Sequence, residues 1–267
     1  MGRPRIGLAL GAGSARGFAH IGVLQVLEEH RIPIDLMAGT SMGALVGSLY
    51  ASGIGPGDLG KLACSLPRRS WVDPAVPKMG LVLGDKITEV IRFLTKGMAL
   101  EQMSPPLWVV ATDLEAGKRV VFRKGPAFRA VRASISIPGI FVPVVSEGRL
   151  LVDGGVIERV PVRTAREMGA DVVVAVDVGK GQAGPVRHIF DVILQSIDIM
   201  ERQIVDVRLP EADVVIQPDL GAIGSTAFSQ AEVMIERGRE AALQMIPRIR
   251  ELIGSAGGED GSTAEGA

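Results

Sequence analysis

The sequence predicts an α/β fold built on a mainly parallel sheet covered by helices. Two observations carry that reading. The chain opens with a strand–helix–strand pattern, the signature of a βαβ unit. It then passes from an apolar strand through a Gly-x-Ser-x-Gly turn straight into a helix, Leu36 to Tyr50. A third pattern is compatible with such a sheet. Asp113, Asp153 and Asp177 each follow a short apolar run, so all three are candidates for its carboxyl edge, where α/β sites form.

Taken in order, Ile6–Leu10 is an uninterrupted apolar strand, followed by the glycine-rich loop Gly11-Ala-Gly-Ser-Ala-Arg-Gly17. A helix over Phe18–Glu29 has Ile21, Leu24, Val26 and Leu27 among its apolar positions, and Pro33 breaks the chain after it. Leu36–Ala38 reads as a buried strand and Ala44–Tyr50 as a helix. From Gly53 to Pro106 the pattern is weaker, apart from an amphipathic helix over Lys86–Lys96 with Ile87, Val90, Ile91 and Leu94 at helical spacing. Residues 71–103, with Trp71, Met79, Leu81 and Met98, read either as an apolar lid or as a loop packed on the core. Leu107–Ala111 and Arg119–Phe122 form a hairpin turning at Glu115–Lys118. Ala127–Ser134 is helical, Ile137–Pro143 a rigid apolar loop, and Leu150–Val152 a strand ending at Asp153-Gly154-Gly155. The remainder reads as a helix near Val162–Met168, a strand at Val172–Val176, a long helix at Ile189–Arg208, a strand at Val214–Ile216 and a last helix at Gln230–Leu252. One domain over residues 1–253 is expected, with a disordered Gly/Ser/Glu-rich tail at 254–267.

Composition removes several classes. The chain has 267 residues, 47% hydrophobic and 22% charged, and a formal net charge of −1 with its cations dispersed, so no nucleic-acid partner is expected. Its single cysteine, Cys64, excludes an internal disulfide framework and a cysteine-based zinc cluster. The first residues enter a strand with no signal-peptide pattern, and no apolar run approaches the roughly 20 residues of a membrane span. The expected compartment is the cytoplasm, any membrane contact being peripheral at the inner membrane.

The chemistry centres on Ser41 in Gly39-Thr40-Ser41-Met42-Gly43. A strand, a sharp turn and a helix around that pattern make a nucleophile elbow, which lifts the serine hydroxyl clear of the sheet and aims helix N–H groups at it. The plainer alternative is a tight turn with a buried capping serine. A nucleophilic serine needs a base. Of the three histidines, His20 falls inside a helix, His30 lies at that helix's end, and His188 begins a late helix after a polar loop. Carboxylates are the other source. Among Asp113, Asp153 and Asp177, Asp153 is favoured because Gly154 and Gly155 allow another loop to approach closely; the alternative is a strand-end turn cap. The Gly11–Gly17 loop is too loosely spaced for a dinucleotide fingerprint and lacks its acidic partner, but its N–H groups suit an oxyanion.

Four pieces occur together: Gly11-Ala-Gly-Ser-Ala-Arg-Gly-Phe-Ala-His-Ile-Gly-Val-Leu24, Gly39-Thr-Ser-Met-Gly43, Ala133-Ser-Ile-Ser-Ile-Pro-Gly139 and Asp153-Gly-Gly155. In these the chain resembles bacterial patatin-like phospholipases, most closely the small single-domain group related to the neuropathy-target-esterase catalytic domain. The resemblance implies a three-layer α/β/α fold and a Ser–Asp dyad without histidine, with Ser41 as nucleophile and Asp153 as base. It implies an oxyanion loop spanning Gly11, Gly13, Ser14 and Arg16, with N–H donors chiefly from Gly13 and Ser14, and Arg16 holding the loop's shape. Ala12 and Ser14 depart from the all-glycine form. The expected function is serine lipid acyl hydrolysis of phospholipid, lysophospholipid or simple ester substrates, without metal or cofactor. The alternative is a regulatory or adaptor protein on the same fold, and a nicotinamide enzyme is a minor third reading.

Overall fold

Strand β1 (Ile6–Leu10) is buried at every residue, as an all-apolar strand must be when neighbours flank both edges and helices cover both faces. The computed structural model describes residues 3–65, 72–74, 78–179 and 186–255. Helix α1 (Ala19–Glu29), entered through a short 3-10 turn at Ser14–Phe18, leads to β2 (Leu36–Thr40), α2 (Met42–Ala51) and α3 (Pro56–Ser65). Next come β3 (Gly80–Val82), α4 (Asp85–Leu94), β4 (Leu107–Asp113), β5 (Lys118–Phe122) and α5 (Ala127–Ser134). The chain continues through β6 (Gly139–Phe141), β7 (Val144–Ser146), β8 (Arg149–Asp153), α6 (Gly155–Glu158) and α7 (Val162–Glu167). It closes with β9 (Val172–Val176), α8 (Ile189–Arg208), β10 (Val214–Ile216) and α9 (Ala231–Ser255).

The main sheet has the order β10-β9-β1-β2-β4-β8-β7, with β5 also paired to β4. The five strands from β10 to β4 run parallel, while β5, β7 and β8 are antiparallel additions. Side-chain alternation splits the core between the two faces. Leu8, Leu10, Val174 and Val176 join the larger cluster with α1, α2 and α9, while Ala9, Val173 and Ala175 join Val162, Ala165 and Val205 of α7 and α8. These are the three expected layers.

The structure departs from the sequence reading in several places. Helix α3 went unread because its glycines at 57 and 60 interrupt the periodicity. The rigid loop after α5 contains β6, which pairs in parallel with β3 in a separate two-stranded sheet. Strand β7 was also missed; its Val-Val-Ser follows Pro143 and runs into a turn, with no continuous apolar stretch to mark it. Helix α9 runs three residues past Leu252, to Ser255. Trp71 and residues 256–267, most of the expected tail, lie outside the described residues. Among the described residues no helix is long and apolar enough to cross a membrane.

Candidate functional site

Register alone brings two chain ends together. In the second half of β4 each residue has one strand on either edge; Val110 pairs with Thr40 and Val121, while Ala111 pairs with Asp153 and Val120. Since β5 takes one edge from Val109 to Asp113, β2 and β8 share the other edge and meet head to head. Ser41 follows the end of β2 and Asp153 ends β8, so the junction places their side chains face to face. The Ser41 hydroxyl donates to Asp153 Oδ2 at 2.6 Å, and both residues are buried. Asp153 thus ends an antiparallel strand, and the junction sets it beside Ser41 at the carboxyl end of the parallel strand β2. Parallel strands alone could not oppose two chain ends in this way.

Ser41 has φ 53° and ψ −120°, a left-handed conformation that is strained for a residue with a Cβ. Two glycines let the segments around it pack against neighbouring strand backbones. A Cβ on Gly43 would lie 2.1 Å from the Leu10 carbonyl oxygen, and one on Gly154 would lie 2.4 Å from that of Val110. Gly39 likewise lies against the backbone of Ala44, at the start of the elbow helix. The Ser41 N–H donates to Ser134 Oγ at 2.8 Å, and the Ser134 hydroxyl donates to the Val110 carbonyl at 2.6 Å. The Asp153 N–H donates to the Ser136 carbonyl at 2.9 Å, and the Gly155 N–H donates to Asp153 Oδ1 at 2.8 Å. Ser134 and Ser136, in the Ala133–Gly139 stretch, therefore tie both halves of the pair to one turn. Their roles were invisible in sequence, although the stretch itself was singled out.

Burial raises the Asp153 carboxyl to about 6, against the opposing pull of the Ser41 hydroxyl, the Gly155 N–H and the Arg159 charge. Near neutral pH it is mostly a carboxylate, yet basic enough to take a proton. The other two aspartates are structural. Asp113 accepts the N–H groups of Glu115 and Ala116 across the hairpin turn, and Asp177 accepts those of Gly179 and the Gln217 amide.

The glycine loop divides by hydrogen bonding. Gly11 donates to the Val176 carbonyl at 3.1 Å and Ala12 to that of Arg159 at 2.8 Å, so both act as struts. Among the described residues the N–H groups of Gly13 and Ser14 have no partner and are free to meet an oxyanion. Ser14 sits at φ 50°, where a glycine would be unstrained. Arg16 is buried; its Nε donates to the Ile223 carbonyl at 2.9 Å and its Nη1 to Asp198 at 3.2 Å, which braces the loop from behind.

His20 is another brace that sequence reasoning missed. Its ring Nε2 lies 2.8 Å from the Gly11 carbonyl oxygen, and complete burial pushes its pKa down to about 4. The neutral ring donates from Nε2. Because the folded state disfavours the cation, His20 costs stability as pH falls from its unfolded value of about 6.5 toward 4. The stability advantage of the wild type over His20→Gln should therefore shrink by about 2–3 kcal/mol between pH 7 and pH 4.5 in urea titrations. His30 lies at the end of α1, and His188 is exposed at the start of α8.

Ser14 and Ser41 open onto a mainly apolar cavity of about 610 Å³. Phe18, Leu45, Leu49, Phe141 and Phe228 are among its walls, and Ile87, Val90, Ile91 and Leu94 of α4 close one side. The amphipathic face read from sequence is thus a cavity wall. Such a site can hold an acyl chain beside a hydroxyl–carboxylate pair.

Comparison with known proteins gives the family and the fold. The family model described as patatin-like phospholipase matches residues 8–166. An uncharacterized NTE family protein of Mycobacterium tuberculosis is 43% identical over 187 residues, covering 69% of this chain and 52% of its own. The protein named lysophospholipase NTE1 of Pyricularia oryzae is 27% identical over 286 residues, covering 92% of this chain and 19% of that protein. The chain therefore spans about half the length of the mycobacterial relative. VipD from Legionella pneumophila superposes with a TM-score of 0.67 at 14% identity, over 93% of this chain and 67% of VipD. The type III effector ExoU does so at 0.53 and 14% identity, over 93% of this chain and 54% of ExoU. At such identity these structures speak for the fold alone. With the family model matching more than half its length, the chain belongs to the patatin-like phospholipase family.

Proposed function

We propose that this protein is a serine lipid acyl hydrolase working through Ser41 and Asp153. Asp153 takes the hydroxyl proton as Ser41 Oγ attacks the acyl carbonyl. The N–H groups of Gly13 and Ser14, helped by the N-terminus of α2, hold the oxyanion. Asp153 then passes the proton to the departing alcohol oxygen as its bond to carbon breaks, leaving an acyl-enzyme. Water gives a proton to Asp153, attacks the acyl carbon and releases the fatty acid, returning the proton to Ser41. The observation that carries the reading is the 2.6 Å contact between the Ser41 hydroxyl and Asp153 beside an apolar cavity of about 610 Å³. The family match and the lysophospholipase name of one relative support a carboxylic ester of a phospholipid or lysophospholipid as substrate.

A fluorophosphonate probe tests this directly. The wild type should label stoichiometrically, and Ser41→Ala should not label while keeping the wild-type melting temperature. A folded wild type that neither labels nor hydrolyses any of a panel of phospholipids, lysophospholipids and simple esters would overturn the proposal in favour of an adaptor role.

A further inference from the structure

A second cavity lies beside the first, of about 450 Å³, between the start of α8 and the loop at residues 222–227. Its walls are more polar than those of the first. Charged groups on its walls are Arg16, Arg187 and Arg202 against Asp191 and Asp198. Both aspartates are engaged within the wall. Asp191 Oδ2 accepts the N–H groups of Arg187 at 2.9 Å and His188 at 3.1 Å, and Asp198 accepts from Arg16 at 3.2 Å and Arg159 at 3.0 Å. Other donors face the same space with no hydrogen-bond partner among the described residues: the Arg187 guanidinium, the Gln195 amide and the Thr226 hydroxyl.

The two cavities adjoin. Thr226 lines both, while Ser14 lines the apolar one and Arg16, on the same 3-10 turn, the polar one. The Ala15 N–H donates to the Ser225 carbonyl at 3.1 Å, fixing that turn to the loop between the cavities. A molecule whose acyl ester reaches Ser41 thus has an apolar space on one side of the turn and a cationic, donor-rich space on the other. Guanidinium and amide donors with a surplus of positive charge match phosphate oxygens. We propose that this second cavity binds the phosphate headgroup of the acylglycerol whose ester is cleaved at Ser41. The proposal rests on the hydrolase reading above and adds a headgroup subsite to it.

The test compares a 1-acylglycerol 3-phosphate with the monoacylglycerol of the same chain, in the full-length protein. Arg187→Glu and, separately, Gln195→Glu place a negative charge in the cavity without touching the pair at Ser41. Each should lower kcat/KM for the phosphate ester 10- to 100-fold and for the neutral ester less than threefold. Equal falls for the two esters, or no fall for either, would overturn the proposal. Inorganic phosphate separates the other source of the same chemistry. If it saturates the cavity and leaves the headgroup preference of the wild type untouched, the site is one for free phosphate and the proposal fails. Calorimetry on Ser41→Ala keeps the two readings apart. If the wild type hydrolyses neither of these two esters, probe labelling and the wider ester panel judge the hydrolase reading, and binding alone decides the headgroup site. Tenfold weaker binding of the 1-acylglycerol 3-phosphate on adding Arg187→Glu would still support the headgroup site, and unchanged binding would refute it.

Discussion

Asp153→Asn should lower kcat for ester hydrolysis by about a thousandfold or more, with little change in stability. The amide has the shape of the carboxylate and can still accept the Gly155 N–H, which donates to Asp153 Oδ1 at 2.8 Å. It cannot take a proton from Ser41. General-base assistance is typically worth about 10²- to 10⁴-fold, and in the proposed mechanism the same group serves both half-reactions. The pH dependence supplies an independent check. With the Asp153 carboxyl at about 6, wild-type kcat/KM should rise with pH through that value and then level off. Residual activity in Asp153→Asn should lose that limb. An unaltered limb in the variant would assign the titration, and hence the base, to another group.

At pH 9, where Glu201 is ionised, Arg159→Met should cost about 3–5 kcal/mol of stability, the range for removing one partner of a buried ion pair. Arg159 is 1% exposed, and its Nη1 donates to Asp198 at 3.0 Å and to Glu201 at 2.5 Å. Without it Asp198 keeps Arg16, but Glu201 is left buried without its cation. Burial already pushes the Glu201 carboxyl up to about 8, opposed by Arg159 and reinforced by Asp153 and Asp198. Loss of the arginine removes the main downward pull, so Glu201 stays protonated to a higher pH. A raised carboxyl pKa makes the folded state lose stability as pH climbs from the unfolded value toward the folded one. The penalty should therefore be smaller at pH 6 than at pH 9. At about 2–4 °C per kcal/mol for a chain of this size, the melting temperature should fall by roughly 10 °C. Thermal unfolding at the two pH values checks both size and sign. An equal cost at both would show that Glu201 does not carry the penalty.

How much of the site could be read in advance depended on whether the signal was local. Gly39–Gly43 is legible because the strained serine and its close-packed glycines are imposed within five residues. Asp153-Gly154-Gly155 is legible for the same reason. The Ser134 bridge is not, because its function depends on the Val110 carbonyl and the Ser41 N–H, which belong to two other segments of the chain. His20 looked like an ordinary helical position, since its partner is the carbonyl of Gly11 rather than a charged or catalytic group. Arg159 lay in an unremarked turn after Asp153, and its carboxylate partners come from α8, about 40 residues later. Among the elements, strands over Ile6–Leu10 and Val172–Val176 were plain because full burial makes them continuously apolar. β3, β6 and β7 were hidden because their three residues carry glycine or serine and sit among prolines and glycines, whereas the three-residue β10 is continuously apolar.

The sequence by itself determined the alternation of strand and helix, the elbow around Ser41, the turn after Asp153 and the apolar face of α4, all set by short-range sterics and hydrophobic spacing. Only the tertiary structure decided which aspartate meets the serine and which loop N–H groups stay free. It also decided that a mainly apolar cavity and a more polar one flank one turn. The physical reason is register. The pairing of Thr40 with Val110 and of Asp153 with Ala111 on one edge of β4 joins Ser41 to an aspartate more than a hundred residues away, and no local pattern encodes it.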